Sequence, residues 1–230
     1  MKKLQTMFAV LMMSGAVLAP VVATTAFAAT AASEQQATQS LVQQLSGIKS
    51  LTAQFEQTTK ITNPKVVQGN KGLSAQHMNQ TFKGEMKVER PGKFYWQTHS
   101  PSKQTIVTSG KTVWIYDPDL QQAVRQSLDE QVSNTPALLL SGNTSQIMQA
   151  YRVTQPDQSK LYYTLLPRNK EGAFQSLTIS FANKSPSLMI LQDSLGQTTY
   201  IRFSQVKLNP SIASSVFDFT PPKGTDVIDQ

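Results

Sequence analysis

Leu41, Leu45, Ile48, Leu51 and Phe55 recur at steps of four, three, three and four. That rhythm places apolar side chains on one face of a helix. Ser33 and Gln36 form a capping box at its start, so the pattern predicts an amphipathic helix from Ser33 to about Gln57. Gly47 falls inside it, at a propensity cost of about 1 kcal/mol. A stripe of this kind faces a core, and the helix is expected to cover one side of a sheet.

Past Lys65 the pattern changes to period two. Phe82, Gly84, Met86 and Val88 alternate with Lys83, Glu85, Lys87 and Glu89, the signature of an antiparallel strand with one wet face. Three β-type runs follow: Phe94 to Thr98, Gln104 to Thr108 and Thr112 to Tyr116. Pro91-Gly92, a Ser-Pro turn at Ser100 and the Ser109-Gly110-Lys111 turn separate them. Asp117-Pro118-Asp119 then turns the chain into a further strand, Gln122 to Gln126. Asn63-Pro64 and the 69–79 region read as a longer, looser hairpin connection.

Thr135 as N-cap and Pro136 at the first helical position predict a very short helix, Ala137 to Leu140, stopped by Ser141-Gly142. A second, Thr144 to Ala150, comes next. Strands are expected at Tyr151 to Thr154, Leu161 to Leu166, Leu177 to Phe181, Leu188 to Leu191 and Thr199 to Lys207. Pro156, Pro167, Pro186 and Gly196 punctuate them, and Phe217 to Thr220 is a last short strand before Pro221-Pro222. The fold class is α+β, mostly antiparallel β: one helix, then about ten short strands in a strongly curved sheet, interrupted by short helices.

The N-terminus changes the picture. Lys2 and Lys3 precede an apolar run from Met7 to Leu18, and Ala26-Phe27-Ala28 is a small-x-small site. This is the pattern of a cleaved secretory signal, residues 1–28. It leaves residues 29–230 as a single domain behind a disordered lead-in, Ala29 to Ala32. The chain has no cysteine, which excludes disulfides, thiol catalysis, cysteine-bound metal and N-terminal lipidation. A soluble protein of a bacterial periplasm is the expectation. The net charge of +7 falls to +5 without Lys2 and Lys3. Lys and Arg are scattered rather than clustered, which argues against nucleic acid as partner.

Catalytic chemistry finds little support. His77 and His99 both sit in polar loop contexts, without metal-ligand spacing. Gly110-Lys111-Thr112 copies the tail of a phosphate-binding loop but leads into a strand. No catalytic residue, metal ligand or cofactor is assigned. A binding role has better material in the strands around Trp96 and Trp114. Strand parity puts Phe94 and Trp96 on one face and Tyr95 on the other. Leu138-Leu139-Leu140 is too short to be a stable helix alone, yet very apolar. Arg90 stands between two apolar runs, where a charge needs a partner. The competing arrangement is an ordinary dry core in which Phe94, Trp96 and Trp114 pack together.

These segments carry a resemblance. The R-P-x-x-F-x-W run (Arg90, Pro91, Phe94, Trp96), the S-G-K-T-x-W-x-Y-x-P run (Ser109 to Pro118), T-P-A-L-L-L-S-G (Thr135 to Gly142) and F-x-F-x-P-P (Phe217 to Pro222) occur in this order. Together they resemble the periplasmic lipoprotein carrier family, LolA. The resemblance implies an unclosed, half β-barrel whose short helices form a lid over a hydrophobic hollow. It also implies that the hollow receives lipoprotein acyl chains, taken from an ATP-driven exporter in the inner membrane and passed to an acceptor at the outer membrane. By the same resemblance Arg90 is the arginine whose hydrogen bonds hold the lid. Phe94 and Trp96 would line the wall, and Leu138, Leu139 and Leu140 the lid; Leu45 and Phe55 are added from the helix stripe. A monomer without enzymatic activity is expected. The alternatives are a related half-barrel that senses lipids or lipoproteins, and a lipid hydrolase. The 65–80 stretch departs from the family pattern, so no docking surface for a partner is assigned.

Overall fold

A computed structural model describes residues 23–61, 80–128, 136–169 and 174–230. Most of the expected signal sequence, the 69–79 connection, His77 and Thr135 lie outside these residues.

Helix α1 spans Ala23–Ser46. It therefore runs through Ala29 to Ala32, expected as an unstructured lead-in, and Ser33 lies inside it rather than at its cap. It also stops earlier than the stripe predicts. Strand β1, Ser50–Ile61, occupies the expected last two turns. The reason lies in the spacing: Leu51 and Phe55 are four apart, which suits a helix face, but Leu51, Ala53 and Phe55 also alternate at period two. All three are buried along β1. The break is fixed by Asn209, in the left-handed region at φ 56°. Its Oδ1 accepts from the Lys49 and Ser50 amides at 2.8 and 3.3 Å, while its Nδ2 donates to the Gly47 carbonyl at 3.0 Å.

Five strands follow as expected: β2 Thr81–Glu89, β3 Lys93–Ser100, β4 Gln104–Ser109, β5 Thr112–Asp117 and β6 Gln122–Ser127. His99 is exposed near the end of β3 rather than in a loop. A short 3-10 helix, Pro136–Leu140, and helix α2, Thr144–Ala150, lead to β7 Tyr151–Thr154 and β8 Tyr162–Pro167. Strands β9 Phe174–Ala182, β10 Ser185–Asp193 and β11 Gln197–Leu208 complete the run. Pro186 lies inside β10 rather than before it. A register shift between Pro186 and Leu188 accommodates it, since proline supplies no amide to the ladder.

Among the described residues twelve strands, the last being β12, Asp226–Asp229, form one sheet in the order β12-β6-β5-β4-β3-β2-β1-β11-β10-β9-β8-β7. Strands β7 and β12 are its free edges, so the sheet curls without closing. The centre is the β1–β11 pair, which joins the two halves of the chain.

Register separates the faces. The inner face of the first half carries the rows Val88–Phe94–Thr108–Val113 and Met86–Trp96–Ile106–Ile115. In the second half Ile201, Met189, Ile179 and Tyr163 form the corresponding row. Helix α1 lays Ala37, Leu41 and Leu45 on this face and is anchored by the Ser40 hydroxyl, 2.6 Å from that of Tyr163. The outer row is Tyr95–Val107–Trp114–Arg125, so the two tryptophans stand on opposite faces.

The C-terminal segment covers that outer face. Phe217 to Thr220, expected as a strand, instead begins with the last residue of a 3-10 helix, Ser214–Phe217, and continues without regular structure. Phe217 is buried beneath Lys93, and Phe219 packs against Trp114 and Tyr116. The final strand is β12, Asp226–Asp229, which pairs parallel with β6. Its Asp-Val-Ile-Asp sequence is too short and too acidic to read as a strand; the pairing and a two-pronged Arg125–Asp229 ion pair hold it there.

Candidate functional site

The inner wall is built from adjacent strands. Phe55 of β1 faces Gly84 of β2, and its ring stacks on Trp96 of β3, centroids 3.5 Å apart and planes 18° from parallel. Phe94 lies one row along, 6.1 Å from Trp96 and 13° from parallel with it. Gly84 makes this possible: a Cβ there would come within 2.7 Å of two Phe55 ring carbons. A glycine inside a strand marks such a close approach.

Leu138, Leu139 and Leu140 of the short helix cover this wall from the open side, with Ile147 of α2. Leu45 of α1 joins them. The seven apolar residues singled out in the sequence thus fall in one buried cluster, from 0% exposed at Phe94 to 8% at Leu139. Met86, Val88, Ile106 and Val113 belong to it as well. Their alternation in β2, β4 and β5 carried that signal, but only register shows which neighbours they meet.

Arg90 ties the cover down. It follows β2 directly, and its Nε donates to the Leu140 carbonyl at 2.8 Å. Its Nη1 donates at 3.2 Å to the Leu45 carbonyl in the last turn of α1. This second partner has no counterpart in the sequence reading. It is chemically apt, since the final carbonyls of a helix lack intrahelical donors and favour a cation. Burial lowers the guanidinium from its ordinary pKa. One backbone bond reinforces the join, the Gly92 amide donating to Ser141 O at 2.9 Å, and within the cover the Ser141 amide donates to Leu138 O at 3.0 Å. The buried Ser141 hydroxyl adds a bond of 2.8 Å to the same Leu138 carbonyl.

Beside the cover opens a cavity of about 660 Å³, bounded by Pro91 and Gly92 on one side and Leu139 and Asn143 on the other. The wall and the leucines over it are apolar, whereas the cavity also presents Lys111, Ser141 and Asn143. It offers no paired acid and base. Among the described residues no group of three or more His, Cys, Asp or Glu could hold a metal ion. What it offers is an apolar interior beneath a short, hydrogen-bonded cover.

Comparison with known proteins shows the family to which such a site belongs. Residues 46–220 match the family described as outer membrane lipoprotein carrier protein LolA. The chain is 41% identical to the outer-membrane lipoprotein carrier protein of Hahella chejuensis, over 80% of this chain and 84% of that one. It is also 41% identical to the protein of that name from Pseudomonas fluorescens, over 93% of this chain and 97% of that one. Among solved structures it is similar to a LolA superfamily protein from Nitrosomonas europaea, at 14% identity and a TM-score of 0.49. That match covers 80% of this chain and 98% of the other.

Proposed function

This chain belongs to the LolA family of outer membrane lipoprotein carrier proteins, and on that premise we propose that it is a periplasmic chaperone for lipoproteins. It binds their acyl chains after release from the inner membrane and delivers them to the outer membrane. The role is a carrier's, with no chemistry performed on the cargo. One observation supports it above the others. Beside helix α1, the Phe55–Trp96–Phe94 wall is covered by a 3-10 helix of five residues and its short successor, held by the Arg90 guanidinium and one backbone bond from Gly92.

Energetics explain why a carrier needs such a cover. Each buried methylene contributes about 0.8 kcal/mol, so several fully buried acyl chains would exceed the tightest known non-covalent affinities, near 18–21 kcal/mol. Release requires a rival occupant. Leu138, Leu139 and Leu140 fill that role, and re-forming the Arg90–Leu140 bond favours expulsion. The finer parts of the proposal are an ATP-driven exporter as donor, an outer-membrane acceptor, a monomeric carrier and a signal cleaved after Ala28.

Native mass spectrometry of the protein purified from the periplasm tests the reading. Co-purifying triacylated polypeptide is the expected result. Protein that is always recovered free of lipidated polypeptide, even when its acceptor is depleted, overturns it.

A further inference from the structure

Arg90 carries one guanidinium nitrogen more than its two bonds use. Nε and Nη1 are occupied by Leu140 and Leu45, but Nη2 is buried and has no acceptor among the described residues. Folded proteins rarely keep a buried donor unpaired, least of all on a charged group. For holding the lid, Nη2 is superfluous.

Its position is informative. On one side of Arg90 lies the apolar cluster, with Val88, Leu45 and Leu140 buried around the base of β2. On the other, Pro91 and Gly92 border the 660 Å³ cavity, whose far side offers Ser141, Asn143 and Lys111. Arg90 itself does not line that cavity, but its next two residues do, so the buried guanidinium lies between a greasy cluster and the turn that borders a polar opening. An amphiphile with its chain on the wall brings its polar junction to this boundary. In an acyl ester that junction is a carbonyl oxygen, a neutral acceptor that fits a donor surrounded by apolar side chains.

Resting on the carrier reading above, we propose that Arg90 is also a recognition site for cargo, donating from Nη2 to an acyl ester carbonyl. When the cover lifts, the Nε released by Leu140 is free to join it. Arg90 would then exchange one carbonyl partner for another, and loading would not strand its charge. Nη1 keeps the Leu45 carbonyl throughout, which fixes the fork in place.

The test compares two probes by isothermal titration calorimetry on the purified protein: 1-monolauroylglycerol and its ether analogue 1-O-dodecylglycerol, which lacks the carbonyl. The native protein is expected to bind the ester about tenfold tighter. In Arg90→Leu the ratio should fall to about one, and in Arg90→Lys to an intermediate value. Taking a ratio within each variant removes any effect of a loosened lid. Equal affinities in the native protein, or an ester preference that persists in both variants, overturn the inference and leave the carrier reading intact. If neither probe binds the native protein, the carrier reading itself fails.

Discussion

Phe55 lies stacked on Trp96, ring centroids 3.5 Å apart, although 41 positions separate them in the chain. The contact depends on a third residue with no side chain. Gly84→Ala would drive a methyl group against the Phe55 ring and the Gln97 carbonyl. Overpacking of this kind costs about 1–3 kcal/mol. Urea denaturation should show that loss, together with a changed near-ultraviolet aromatic signal. Gly47→Ala is the control: nothing lies within 4 Å of its Cβ, and it should unfold within about 0.5 kcal/mol of the native protein.

Arg90→Leu removes the side-chain bonds that link the end of β2 to the cover and to α1, leaving the Gly92–Ser141 backbone bond. Amide exchange at Ser141 and Gly142 should accelerate by about tenfold or more, the loss expected for charge-assisted bonds. Global stability should fall less, because the buried charge goes with the bonds. Loading should persist while transfer to the acceptor slows. Transfer at the native rate would show that Arg90 does not govern release.

Phe217→Ala separates the two faces of the sheet. The side chain is almost fully buried, but against the outer face near Lys93. Truncation should cost about 3–5 kcal/mol while leaving lipid affinity of the folded fraction unchanged. A large drop in affinity would mean that the inner wall depends on the strap behind it.

Acid should loosen α1. Glu34 accepts from Arg152 of β7, and those bonds lower its pKa, opposed in part by desolvation and aided by the charges of Arg152 and Arg168. A depressed carboxylate contributes stability that is present above its unfolded value, about 4.3. That contribution is lost as pH falls through the lower folded value. Thermal melts between pH 6 and 3 should converge for the native protein and Glu34→Gln toward the acid end. Both the pair and its effect should weaken with added salt.

Much of this architecture can be read from local pattern. The alternation in β2, the turn prolines and glycines, and the Pro136 start of the short helix each act over a few residues, and each element lies where its pattern put it. Errors arose where one pattern fits two geometries. Leu51 and Phe55 satisfy a helix and a strand equally; Asn209, 158 positions beyond Leu51, fixes the choice. Strand β12 exists only because β6 offers an edge, so no local signal precedes it. At the candidate site, parity orients Phe94 and Trp96. The meeting of Phe55 with Trp96, and of Arg90 with Leu45, depends on pairings that local spacing does not encode.

The sheet order also sets a timetable. Its central seam joins residues 50–61 to residues 197–208, and its outer edge waits for Asp226–Asp229 to reach β6. Contacts this distant along the chain form slowly. A polypeptide emerging from its N-terminus has no partner for β11's side of β1 until about nine-tenths of it is available. The two halves of the sheet can therefore be sewn together only once nearly the whole chain is at hand.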